Sequence, residues 1–288
     1  MARNTVENTV VAYLDNDDNP DIANPIHSTE VAKSYGFDGP LIGGVTVWGW
    51  ATDTVLAAVG EGWLEDGWAE YSFRQPVFPG DMLTVRAALN EDSPVSSWTV
   101  EMINQQDQVC VVGSVGLGKA EWLHELVLPH AMDPTAESDS KGPLTLENAE
   151  TRKDWLAVEL DFSAEVSAEF IAQKQHTDNR LFNPPVNKKD AIAHPSWTAN
   201  WAERLLRHNF AIPSSMHTKS RVQHHRKIPI GTTVIGGAHL IEVYERKAHH
   251  FANYDVLLVD KNGDTLAQLR HWTIFRIATL EERAKAAS

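Results

Sequence analysis

A chain of 288 residues, 42% of them apolar and 22% charged, has the length of one large domain or two ordinary ones and the apolar content for a sizeable core, which excludes a disordered or collagen-like sequence. The net charge of −14 excludes a general nucleic-acid binder, which needs basic surface to displace counterions from phosphates. A single cysteine, Cys110, excludes an internal disulfide and a cysteine-rich metal site.

The opening MARNTVENTV has no secretory profile, and Asp53 interrupts the apolar run 41–59 well short of a membrane span. A cytoplasmic protein that neither enters nor crosses a membrane is expected. Thr5–Leu14 reads as a strand, followed by a polar loop through Pro25, a short helix near Thr29–Tyr35, and a buried helix from about Gly44 to Val59. From Glu70 onward the pattern turns to strands, with Thr84–Leu89, Ser97–Ile103 and Val109–Leu117 separated by turn-forming clusters.

Residues 133–150 are poor in large apolar side chains and rich in Asp, Ser, Thr, Pro and Gly, as a linker is. They separate an acidic half, with 6 basic and 22 acidic residues over 1–145, from a nearly neutral one, with 19 and 17 over 146–288. Beyond the linker the order repeats: strand Leu156–Leu160, helix Trp197–Asn209, then strands near Thr218–His225, Thr233–Val243, Ala252–Val259 and Thr265–Phe275. The last two flank Lys261-Asn262-Gly263-Asp264, a strong hairpin signal.

Gly44 and Gly80 are 36 positions apart, and so are Pro195 and Gly231, with Val77-Phe78-Pro79-Gly80-Asp81-Met82-Leu83 paralleling Ile228-Pro229-Ile230-Gly231-Thr232-Thr233-Val234. This spacing predicts an internal duplication in an α+β protein, each antiparallel sheet wrapping one helix and the two sheets joined side by side. A sheet wrapped round one helix is a hotdog, so the expected fold is a double hotdog with halves 1–132 and 151–288. Trp48, Trp50, Trp197 and Trp201 then belong to core or tunnel wall.

The stretch Asn24-Pro25-Ile26-His27, with Ala32, Gly36-Phe37 and Ile42-Gly43-Gly44 after it, resembles the MaoC-like dehydratases, which include the (R)-specific enoyl-CoA hydratases. The resemblance implies that an enoyl or 3-hydroxyacyl thioester lies in a tunnel between two hotdogs, where an aspartate and a histidine handle a water molecule. It carries the histidine to His27. The family's aspartate position, five residues before the histidine, is Ile22 here; a one-residue bulge would place Asp21 there, with Asp17 and Asp18 as the other carboxylates of the loop. Where the family often has His-Gly, this chain has Gly43-Gly44, which keeps the backbone donor.

The residue types suit that chemistry. Adding water across a double bond conjugated to a thioester needs a base for the water, an acid for the neighbouring carbon and donors for the enolate oxygen. Histidine titrates near working pH and a carboxylate can orient it. Asn24 fixes the loop or the water, Pro25 stiffens the turn, and Gly44, opening a helix, offers an unobstructed N–H to the oxyanion while Gly43 lines the substrate.

The second half presents Pro195, without an N–H, where Gly44 stands, and Phe182 where a histidine is needed. One active site per chain is therefore expected. Lys219, Arg221, His224, His225, Arg226 and Lys227 form the densest basic stretch; Lys219, Arg221 and His225 share a face by alternation, and with Arg226 and Lys227 they are the candidates for coenzyme A phosphates.

His224-His225 and His249-His250 point to opposite strand faces and are read as ordinary strand histidines, His194 as structural or a pocket wall; no metal site is expected. Asp53 on the central helix marks the competing function, a hotdog thioesterase, and a non-catalytic hotdog that binds acyl-CoA or a partner chain is the third. Coenzyme A enters only as part of the substrate, preferred over an acidic carrier protein that the acidic first half would repel, and no redox or metal cofactor is implied. Hotdogs often pair further, so the resemblance also implies a homodimer.

Overall fold

The computed structural model describes residues 4–14, 24–91, 96–136, 141–149 and 153–286. In the first half β1 (Thr5–Val11) precedes α1 (Thr29–Ser34), α2 (Gly44–Gly49), α3 (Thr52–Val59) and α4 (Trp63–Asp66), and then come β2 (Gly67–Phe73), β3 (Met82–Leu89), β4 (Ser97–Ile103) and β5 (Val109–Leu117). The second half follows the same plan with β6 (Val158–Phe162), α5 (Ala164–Phe170) running on into a π-helical turn Ile171–Gln175, then α6 (Pro195–Ala199) and α7 (Trp201–Asn209). It finishes with β7 (Met216–His224), β8 (Thr232–Arg246), β9 (His249–Asp260), β10 (Thr265–Arg276) and α8 (Leu280–Ala286).

All ten strands form one antiparallel sheet in the order β1-β3-β4-β5-β2-β7-β10-β9-β8-β6. Read from its own outer edge inward, each half has the same strand order, as a duplication demands. The halves meet where β2 pairs antiparallel with β7, from Trp68↔Gln223 to Ser72↔Lys219, so neither inner edge is left unpaired. The equivalent turns share their backbone: Gly80 and Gly231 have φ of 89° and 90°, a region that favours glycine. Each donates its N–H to the end of the half's first strand, Gly80 to Ala12 O at 2.8 Å and Gly231 to Phe162 O at 2.9 Å.

Period-2 patterning explains the strands. In β3, Leu83, Val85 and Ala87 are fully buried while Met82 and Arg86 are exposed. The helices differ from the single long one expected over 44–59. The chain breaks at Trp50–Ala51, where Trp50 Nε1 donates to Lys174 O at 3.2 Å and a Cβ on Gly49 would stand 2.4 Å from the Gln175 amide. The second half's π-helical turn is wedged against the first half's helix there. The helix expected over 197–209 breaks at the matching place, Asn200, and Trp48, Trp50, Trp197 and Trp201 are all buried in one core that runs through both halves.

The segment after β5 crosses the sheet face opposite the helices. Ala120 N–H donates to Gln223 Oε1 at 2.9 Å, Val127 N–H to Asp255 Oδ2 at 2.6 Å, and Arg270 Nη2 to Glu125 O at 2.7 Å. Beneath it the buried Asp255 takes a bidentate pair from Arg270, with Nε and Nη2 at 2.6 and 2.7 Å. Among the described residues no helix is long and apolar enough to cross a membrane.

Candidate active site

The loop that carries the motif is built as a plug. Pro25, with φ already near the helical value, opens a 3-10 turn closed by His27 N–H to Asn24 O at 3.0 Å and Ser28 N–H to Pro25 O at 2.9 Å. Ile26, only 1% exposed, is buried with Leu41 and with Ile274 and Ile277 of the second half. Asn24 grips the other half with both ends of its amide: Nδ2 donates to Ser215 O at 3.0 Å, and Ser215 N–H donates to Asn24 Oδ1 at 3.2 Å. With its neighbours anchored on both sides, His27 has little freedom in where it points.

The ring's tautomer follows from one contact. Leu41 O, which can only accept, lies 2.5 Å from His27 Nδ1, so the proton sits on Nδ1 and Nε2 presents its lone pair. Burial, the largest influence, with Lys174 and Arg207 nearby, lowers the pKa to about 4 against the opposing pull of Leu41 O and Glu203. The imidazole is thus neutral at working pH and acts as an acceptor.

Gly43 and Gly44 lie against this ring and at the start of α2. A Cβ on Gly43 would stand 3.5 Å from Cε1 and Nε2 of His27, and a Cβ on Gly44 would meet the His217 side chain at 2.6 Å. Glycine at 44 is therefore required by packing whatever its amide does.

Two cavities flank His27 and share only His27, Ser215 and His217. The smaller, of about 140 Å³, is walled mainly by Ile26, Leu41, Ile42, Val47, Phe73 and Val77. The larger, of about 530 Å³, takes Lys174, Glu203, Arg204, Arg207 and His271 from the second half. Glu203 Oε1 accepts from Arg207 Nε at 2.7 Å and from Ser215 Oγ at 2.6 Å, while Arg207 Nη2 donates to Ser215 Oγ at 2.9 Å. Among the described residues lining the two cavities, Glu203 is the one carboxylate.

Sequence reasoning missed Lys174, Glu203, Arg204, Arg207, Ser215, His217 and His271. Glu203, Arg204 and Arg207 form a charged helical stretch in the sequence, but nothing local aims it at the loop 24–27 of the other half. His217 was hidden by an irregularity: β7 and β10 pair Lys219 with Trp272 and His217 with Thr273, leaving Thr218 as an extra residue. Strict alternation from Lys219 would turn Thr218 toward the helices; the bulge turns His217 there instead.

Of the residues singled out from sequence, the structure brings His27, Asn24, Gly43 and Gly44 together. Asp21, with Asp17 and Asp18, lies outside the described residues. The basic stretch lies elsewhere: Ser220, Val222 and His224 of β7 turn inward, so Lys219 and Arg221 lie on the opposite face. Lys219 Nζ is 2.6 Å and Arg221 Nε 2.7 Å from the Glu70 carboxylate, Arg221 Nη1 is 2.6 Å from Glu125, Arg226 Nη1 2.9 Å from Asp264 and Lys227 Nζ 2.5 Å from Glu65. His225 Nε2 meets Gln268 Oε1 at 2.8 Å. Burial resists ionisation of Glu70, yet Lys219 and Arg221 carry its carboxyl below the usual value.

At the matching position in the second half, Pro195 opens α6 and His194 beside it borders a separate cavity of about 350 Å³, shared with Trp50, Asp53 and Gln175. Phe182 packs edge-on against His194, ring centroids 4.6 Å apart, and His194 Nδ1 accepts from Ser196 N–H at 3.2 Å, capping α6 at Pro195. Asp53 accepts from Thr177 Oγ1 at 3.0 Å and Asn179 Nδ2 at 2.7 Å, and borders neither cavity at His27. His224 packs on Trp63 and His249 Nδ1 accepts from Ala278 N–H, each in a structural role. Among the described residues no three His, Cys, Asp or Glu side chains group as a metal site.

No protein-family model matches the chain, and no curated protein matches it in sequence. Solved structures match in fold. A MaoC-like dehydratase superposes with TM-score 0.58 at 13% identity over 89% of this chain and 90% of its own. A MaoC domain protein from Chloroflexus aurantiacus gives 0.55 at 15% identity, covering 85% of each chain. A conserved protein of Mycobacterium tuberculosis described as a double hotdog gives 0.52 at 11%, covering 88% of this chain and 86% of its own. The chain has the double hotdog fold of the MaoC-like dehydratases. At these identities the likeness establishes architecture, and chemistry has to be argued from the site.

Proposed function

We propose that the protein reversibly hydrates a trans-2-enoyl thioester, or in reverse dehydrates a 3-hydroxyacyl thioester. The observation that carries this reading is the His27 imidazole, held neutral with Nδ1–H on Leu41 O and Nε2 open, beside Gly43 and Gly44 at the junction of an apolar and a cationic cavity. In the hydration direction Nε2 takes a proton from water as the water oxygen bonds to C3. The C2=C3 pair moves toward the thioester, whose oxygen becomes an enolate, with the Gly44 N–H as donor to it. Collapse of the enolate takes a proton onto C2, restoring the carbonyl and returning His27 to its neutral form.

Asp21 is the carboxylate the sequence assigns to the water, and Glu203 is the alternative across the cavity. Glu203 Oε1 already serves Arg207 and Ser215, so we assign the water to Asp21 and the fixing of Ser215, hence of Asn24 and its loop, to Glu203. Asp21→Asn is expected to lower kcat about 100-fold or more, and Glu203→Gln to act less through kcat than through loss of order at Ser215.

The acyl group goes to the apolar chamber. A cavity of about 150 Å³ holds a benzene ring, so a chamber of about 140 Å³ suits a short acyl tail. The polar arm of the thioester goes to the larger cavity, where Lys174, Arg204 and Arg207 face the coenzyme. With Lys219, Arg221, Arg226 and Lys227 matched to carboxylates, Arg204 is our choice for a phosphate contact. Arg204→Glu should raise KM for enoyl-CoA at least about tenfold; an unchanged KM rules out this orientation. The reading as a whole is tested by the absorbance lost when the conjugated thioester is hydrated, and release of free thiol instead would establish a thioesterase.

A further inference from the structure

His217 comes from the second half and stands at the heart of the first half's site. Its ring is held between Phe73 and His271, with centroid separations of 4.4 and 4.2 Å. Its Nδ1 would lie 2.9 Å from a Cβ placed on Gly44, so the imidazole covers the residue that opens α2. It borders both cavities beside His27. Burial first, and His271 second, hold its pKa well below the usual value, so the ring is neutral, with one N–H and one lone pair.

Both ring nitrogens are buried and neither makes a full hydrogen bond, although the Lys219 backbone lies close enough to favour the protonated ring weakly against burial. The Nε2 of His271, a residue 2% exposed, is without one too. Leaving such groups unmatched is costly, and a phenyl ring would fill the same space without that cost. A donor kept in reserve beside Gly44 and His27 is suited to an acceptor that arrives with the substrate.

We propose that His217 is a catalytic residue whose N–H binds the thioester oxygen, in company with the Gly44 amide, and strengthens its hold as that oxygen becomes an enolate; this rests on the hydration reading above. A neutral imidazole can polarise a carbonyl without handing over its proton, since the proton leaving it would create an imidazolate. The proton taken from water stays on His27 Nε2 and ends on C2, so His217 is unchanged through the cycle. The site therefore draws its base from one half and a side-chain oxyanion donor from the other.

The test compares wild type, His217→Phe and His217→Gln. With short trans-2-enoyl-CoAs, His217→Phe should lower kcat about 100-fold or more with KM changed less than about threefold, and His217→Gln, which keeps an N–H donor, should recover at least about tenfold. Infrared difference spectra of bound [1-13C]butyryl-CoA, which has no double bond to hydrate, should show the carbonyl band lowered in wild type and in His217→Gln and returned toward the free value in His217→Phe. Should the Phe variant fail to fold, His217→Met supplies the apolar comparison. A kcat within about threefold of wild type in the apolar variant, or a carbonyl band indifferent to it, overturns the proposal. A wild type inert toward every enoyl-CoA but with the His217-dependent band shift would sink the hydration reading and leave the thioester contact standing; absence of any butyryl-CoA binding would sink both.

Discussion

At the scale of residues, the site depends on one proton being in a fixed place. The Leu41 carbonyl puts it on Nδ1 of His27, and burial keeps a second proton off the ring until about pH 4. A base with that pKa remains competent far below the range of an exposed histidine. The kcat/KM profile should accordingly be flat on its acid side between about pH 5.5 and 7.5, and an acid limb centred near 6.5 would contradict the assignment. Gly44→Ala should lose activity and about 1–3 kcal/mol of stability, because the new methyl overlaps the buried His217 ring; a thermal melt beside the activity assay reads both effects.

Among elements, the seam between β2 and β7 sets the second half's Ser215 and His217 against the first half's loop. The tether is specific: Asn24 and Ser215 exchange backbone and amide bonds across 191 positions. Asn24→Ala should free the loop and cost about tenfold or more in kcat/KM, without moving the melting point by more than a few degrees. Strands and the duplication were legible in the sequence because β-branched alternation and paired glycines are local signals, and Gly80 and Gly231 do share one backbone conformation. The motif loop was legible for the same reason. The break in each helix was not, since it answers to a turn from the other half. Nor were Glu203, Ser215 and His217, whose relevance arises only when distant segments meet, and for His217 only through the Thr218 bulge.

On the scale of the whole molecule, two copies of one plan have diverged, the first presenting His27, Gly43 and Gly44 and the second Phe182, His194 and Pro195. The second copy's α7 and β7 bring Glu203, Arg204, Arg207 and His217 to the larger cavity at His27. The arrangement has a consequence for stability. Burial lowers the pKa of His27 and His271 to about 4, of His194 and His224 to about 3, and holds that of His217 well below the usual value. With folded values below the unfolded value of 6.5, the unfolded chain binds protons first. These groups leave stability intact above about pH 6.5 and erode it as pH falls from there toward 4 and 3. Chemical denaturation midpoints should fall steadily over that window, and midpoints constant down to pH 4.5 would show that these rings are not buried neutral. The measurement that bears most directly on the central claim is hydration of crotonyl-CoA and longer trans-2-enoyl-CoAs by wild type and His27→Ala, followed as loss of the conjugated thioester absorbance. The account predicts turnover by wild type, best with short acyl chains, and a fall of about 1,000-fold or more in His27→Ala; equal rates in the two proteins, or thiol release without hydration, would contradict it.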